Sequence, residues 1–168
     1  MNINEVMKTL DTINYGYLDK DGIKHRDDFD KFYDNYILQS PESLLNTKLG
    51  VCWDQVELER YLLKDLDIKT YYLVLYDNIT NPTHTFLTYK LNNKCYWFEH
   101  SWEALKGIRE YDDIKSLLKD VIINFLKDYN NDISNLEIKE YKKPKYNISA
   151  KEFMESMDNA KSIKIDFI

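Results

Sequence analysis

The sequence predicts an α+β domain in which helices flank a mostly antiparallel sheet. Two segments of alternating apolar and polar residues, 84–91 and 94–101, are separated by Asn92-Asn93, a pair that accepts left-handed conformations, and read as a hairpin. Other segments repeat their apolar residues every three or four positions and read as amphipathic helices before and after it. The chain has 168 residues, 43% hydrophobic and 14% aromatic, with only 4 Gly and 3 Pro. That is apolar material enough for a buried core, and it argues against disorder or a linker-joined array. One domain over residues 1–168 is expected, with its motif-bearing core at about 49–102.

Each element has its own warrant. Residues 3–13 place Ile3, Val6, Met7, Leu10 and Ile13 on one helical face. Asp19-Lys20-Asp21-Gly22 reads as a turn in which Gly supplies positive φ, because its acids lack the spacing of a calcium loop. From Arg26 to Leu38 the positions Phe29, Phe32, Tyr33, Tyr36 and Ile37 return to helical period, and Ser40-Pro41 closes that helix. Residues 51–66 form a helix with Val56, Tyr61, Leu62, Leu63 and Leu66 as its buried stripe. Tyr71 to Tyr76 is a near-continuous apolar run and is expected centrally in the sheet. After the hairpin come a helix over 111–128, a weak strand over 136–141, and a last helix opened by a Ser149/Glu152 capping box and running to about 160. No internal repeat is visible.

Charge and cysteine usage exclude several classes. The chain has 29 acidic and 23 basic residues, a net charge of −6, and no basic stripe. The cluster Lys139, Lys142, Lys143 and Lys145 is interrupted by Glu140 and Pro144 and reads as a solvated loop or edge, so no nucleic-acid partner is expected. Nothing resembles a signal sequence, and no apolar run approaches the ~18 residues that span a bilayer. No membrane partner and a cytoplasmic location are therefore expected. The two cysteines lie outside any C-x-x-C spacing, and both are expected to be free thiols. No cofactor is called for, and oligomeric state is left open.

The chemistry concentrates in three groups. Cys52 sits in Gly50-Val51-Cys52-Trp53-Asp54-Gln55 at a loop-to-helix junction, where free amides and the positive end of the dipole favour a thiolate. Gly50 allows close backbone approach to a ligand there, and Asp54 opposes the thiolate slightly. His84 and His100 read as the strand-borne histidines. With Asn92-Asn93 as a two-residue turn, Leu91 faces Lys94, Phe86 lies opposite Glu99, and Thr85 lies opposite His100. Alternation then puts His84 and Glu99 on one face as diagonal neighbours ~7 to ~8 Å apart at the backbone, with His100 pointing away. Cys95 shares the His84 face but lies ~20 Å along the strand, too far to serve as its nucleophile. A thiol, an imidazole and a carboxylate in that order are the parts of a nucleophile with its base and orienter. Trp53, Trp97 and Trp102 read as core, or as walls of a substrate slot.

At these residues the chain resembles the transglutaminase-like superfamily, from about Leu49 to Trp102 through Gly50-Val51-Cys52-Trp53-Asp54-Gln55, His84-Thr85-Phe86 and Trp97-Phe98-Glu99-His100-Ser101-Trp102. The whole chain has the look of small bacterial members. The resemblance implies a papain/transglutaminase-like core, an antiparallel sheet packed on a Cys-bearing helix, with Cys52 as nucleophile and His84 as base. Glu99 stands where the family usually has Asp; it is one methylene longer and must sit differently to hold the imidazole. The expected activity is cysteine-dependent acyl transfer on an amide or isopeptide bond of a peptide or protein, with hydrolysis favoured because water needs no second binding site. The Cys52 amide would hold the oxyanion, with Asn46 or Gln55 as second donor. Two rival readings are a binding module that keeps the scaffold without turnover, and a zinc site built from Cys52, His84 and Glu99.

Overall fold

The computed structural model describes residues 2–168 and gives six α-helices and eight strands in the order α1 (Ile3–Leu10), β1 (Tyr17–Leu18), β2 (Lys24–His25), α2 (Phe32–Asn35), α3 (Pro41–Thr47), α4 (Cys52–Leu62), β3 (Asp67–Leu75), β4 (Thr83–Leu91), β5 (Lys94–Glu99), β6 (Gly107–Tyr111), α5 (Ile114–Asp128), β7 (Leu136–Tyr141), α6 (Ala150–Ser156) and β8 (Lys161–Ser162). Six strands form one antiparallel sheet in the order β6-β5-β4-β3-β7-β8. The α+β class holds, and β3 takes the interior place its apolar run predicts, hydrogen-bonded to β4 on one side and β7 on the other.

The hairpin forms with the expected register. Leu91 pairs with Lys94, Lys90 with Cys95 and Leu87 with Phe98, and Asn92 and Asn93 both hold positive φ, at 51° and 60°. Two adjacent left-handed residues make the primed turn whose twist matches the strands, and Asn tolerates that region better than most residues do.

Helices cover both faces of the sheet. On one side α5 lays Leu117, Leu118, Val121, Ile122 and Phe125 against Tyr71, Leu73, Phe86 and Trp97. On the other, α4 and α6 pack Val56, Trp53 and Phe153 against Tyr72 and Val74, and α1 and α3 complete that layer with Val6, Leu10 and Leu44 beside Leu58 and Leu87. Each such fully buried Leu or Phe contributes about 1.5–3 kcal/mol, so α4 is held by its packed face rather than by propensity. Among the described residues no helix is long and apolar enough to cross a membrane.

The expected helix over 26–38 shrinks to the single turn of α2. Asp28 accepts from the Asp30 amide at 3.1 Å, a local alternative to helical bonding, and Tyr36 and Ile37 are extended, bridging Asp19 and Ser149. Ser40-Pro41 does not close a helix but opens α3: the Ser40 hydroxyl accepts the Ser43 amide at 3.2 Å, and Pro41 takes the first-turn position, where its missing N–H costs nothing. The edge strands β6 and β8 carry no alternation that sequence reading detects. His25, read as lying outside any strand, is in β2 and bonds Asp19 at 2.7 Å, while His100 lies one residue beyond β5.

Candidate active site

The site is built where α4 begins, β4 begins and β5 ends. Cys52 is the first residue of α4; the Asp54 and Gln55 amides of the first turn donate to the Val51 carbonyl at 3.0 Å, which leaves the Cys52 and Trp53 amides without a backbone acceptor. The start is pinned by a buried carboxylate. Asp54 accepts the Val51 amide at 3.0 Å, the Gln39 amide at 2.9 Å and the Tyr36 hydroxyl at 2.9 Å. Burial pushes its carboxyl up to about 7 against the pull of those three donors. Its place is thus structural. Gly50 serves the same packing: a Cβ there would meet Leu44 Cδ1 at 2.6 Å and Asp54 Cβ at 2.9 Å, so the space is used by the protein and not by a ligand. Trp53, the next residue of α4, donates its indole N–H to Thr83 Oγ1 at 3.2 Å. That bond ties the residue after Cys52 to the residue before His84.

His84 Nε2 lies 2.8 Å from Glu99 Oε2, both side chains being buried on the face that the hairpin register assigns them. The Cys52 thiol lies beside the same imidazole. With Nε2 held by Glu99, Nδ1 is the nitrogen left for the sulfur. Burial pulls the imidazole down, but the Glu99 carboxylate and the bonds from Cys52 and Glu99 outweigh it and raise His84 to about 10.

The extra methylene of Glu99 is accommodated by a full set of donors. Oε2 accepts from the Trp97 indole at 3.2 Å as well as from His84; Oε1 accepts from the Ser101 hydroxyl at 3.3 Å and the Trp102 amide at 3.1 Å. Four hydrogen bonds fix the carboxylate, which is how it orients the ring. Trp97 is core as expected, yet its N–H belongs to this network. Trp102 is half-buried, with its ring centroid 5.2 Å from that of His84.

Cys52 and His84 are 7% and 8% exposed, and both open into a cavity of about 200 Å³ walled by Tyr15, Trp102, Phe125 and Tyr129. It has room for one side chain or a short acyl group. Cys95 is buried and opposite Lys90, at the far end of the hairpin, and both cysteines are unpaired.

The two candidate oxyanion donors are elsewhere. The Gln55 amide is spent internally, its N–H donating to Gly50 O at 2.9 Å and its oxygen 2.6 Å from His100 Nδ1. Asn46 lines a different cavity, with Ser40 and Tyr61. His100 turns from the thiol as the register predicts. Cys52, His84 and Glu99 form a chain with the carboxylate on the ring nitrogen, and among the described residues no three such groups are arranged to hold a metal ion. Sequence reading also missed Glu59, buried on α4 with Oε2 unpaired. Burial and then the Glu99 charge push its carboxyl well above the usual range. Only the helical step of seven from Cys52 marks it in the sequence.

No protein-family model and no curated protein matches this chain.

Proposed function

We propose that the protein is a cysteine-dependent acyl-transfer enzyme acting on an amide or isopeptide bond, through Cys52, His84 and Glu99. The observation that carries this is a thiol and an imidazole side by side at one cavity, with the imidazole bonded in turn to a fully hydrogen-bonded carboxylate. The order of groups, on a helix start and then two successive strands, is also what supports placing the chain with the transglutaminase-like superfamily and its papain-like core.

The chemistry follows from the charges. His84, held protonated by Glu99, pairs with a Cys52 thiolate, which attacks the carbonyl carbon. The negative charge that forms on the carbonyl oxygen meets the Cys52 amide and the positive end of the α4 dipole. Collapse of this intermediate breaks the C–N bond as His84 gives its proton to the leaving amine, and an acyl thioester remains on Cys52. Neutral His84 then takes a proton from water, the hydroxyl adds to the thioester, and the carboxylic acid departs as the thiolate–imidazolium pair is restored. Hydrolysis is favoured over amine transfer because water needs no binding site of its own.

Labelling with iodoacetamide in mildly acidic buffer, followed by peptide mapping, tests this. Cys52 is expected to react far faster than Cys95 and faster than free cysteine, and His84→Ala to slow it by about 10²-fold or more, the usual worth of a positioned base. Equally slow labelling of both thiols would sink the proposal and leave a binding module.

A further inference from the structure

We infer that the Cys52 cavity selects acyl donors bearing a cationic side chain next to the reacting carbonyl, with the cation seated between the Asp128 carboxylate and the ring faces of Tyr15 and Tyr129. This rests on the reading of Cys52 as the reactive group and extends it to the substrate.

Four observations converge. Apart from the reacting groups, Asp128 is, among the described residues, the one charged side chain lining the cavity, and no Lys or Arg among them lines it. It is exposed, and among the described residues no basic group pairs with it. It is also the last residue of the fifteen-residue helix α5, whose terminal carbonyls point their negative ends the same way. An acid in a last turn works against the helix dipole, so helix stability does not account for it. Finally, Tyr15 and Tyr129, 50% and 47% exposed, line the same cavity, and aromatic rings attract ammonium and guanidinium groups. Asp77 adds to the field at Tyr129, its charge kept by backbone amides that hold its carboxyl at about 2. The positive charge of His84 does not cancel this, because the Glu99 carboxylate is bonded to it at 2.8 Å.

Thiol reagents with one reactive group and three charges read the preference directly. Rates at Cys52 are measured with 2-aminoethyl (cationic), propyl (its neutral isostere) and 2-sulfonatoethyl (anionic) methanethiosulfonate, each divided by its rate with free cysteine. The wild-type protein is expected to favour the cationic over the neutral reagent by about fivefold, the worth of one charge pair about 4 Å apart in water. Asp128→Asn should abolish that ratio and Asp128→Lys invert it. Fast labelling with a ratio unchanged in both variants would overturn the inference and spare the thiol reading; uniformly slow labelling with all three reagents would overturn both. Protection then separates a side chain from a free amine. Nα-acetyl-lysine methylamide should slow the neutral reagent more than its Nε-acetylated form or butylamine does, whereas equal protection by butylamine would overturn the side-chain assignment.

Discussion

At the scale of single residues, Glu99 is the group on which the site's charge rests. Its carboxylate holds His84 protonated well beyond the ordinary histidine range, up to about 10 against 6.5. A histidine raised in the folded state stabilises fully below its unfolded pKa of 6.5, and the contribution fades as pH rises through about 10. Glu99→Gln should therefore lower the urea midpoint at pH 6 and flatten its fall between pH 6 and 10; curves that stay parallel to wild type would show that the pair stores no such energy. The pairing of His84 with Glu99 was legible in the sequence, because a two-residue turn fixes which side chains share a face. Their meeting with Cys52 was not, since it depends on how α4 lies on the sheet, and no local period encodes that. The misplacement of Gln55 and Asn46 has the same origin: what an amide side chain bonds to is decided by residues far off in the chain.

Among elements, α4 is the most demanding. It carries Asp54, Glu57 and Glu59, all buried, in a helix that has a thiol at its first position. Glu57 is answered by Arg60 at 2.9 Å and by Tyr146 at 3.3 Å, and Asp54 by three donors. Asp54→Ala strands those donors, each at a cost of about 1–3 kcal/mol; a loss of about 3 kcal/mol or more in chemical denaturation is expected, together with slower alkylation of Cys52. A variant as stable as wild type would show that water takes over the role. Long elements with strong periods, such as α1, α5 and β3, were legible in the sequence. The segments that failed, α2 with α3 and the edge strand β6, are short, half-exposed, or begun by a proline that reads equally well as a stop.

For the whole molecule, α4 and α5 lie on opposite faces of one sheet and reach the same rim, where the first begins and the second ends. Burying Glu59 on α4 has a cost that depends on pH. Its carboxyl is raised in the fold from 4.5, so the folded state holds its proton longer than the unfolded chain, and stability falls as pH climbs above about 4.5. Glu59→Gln removes that term. The melting temperature of the variant relative to wild type should rise steadily from pH 4.5 to 8, and a constant offset would mean that the wild-type carboxyl titrates normally. The opposed helix ends also polarise the cavity, positive beside the sulfur and negative at the Asp128 side. A thiocyanate made by cyanylating Cys52 would sit in that gradient as a vibrational Stark probe, so the nitrile stretching frequency would report the internal electric field at the sulfur without any ligand bound.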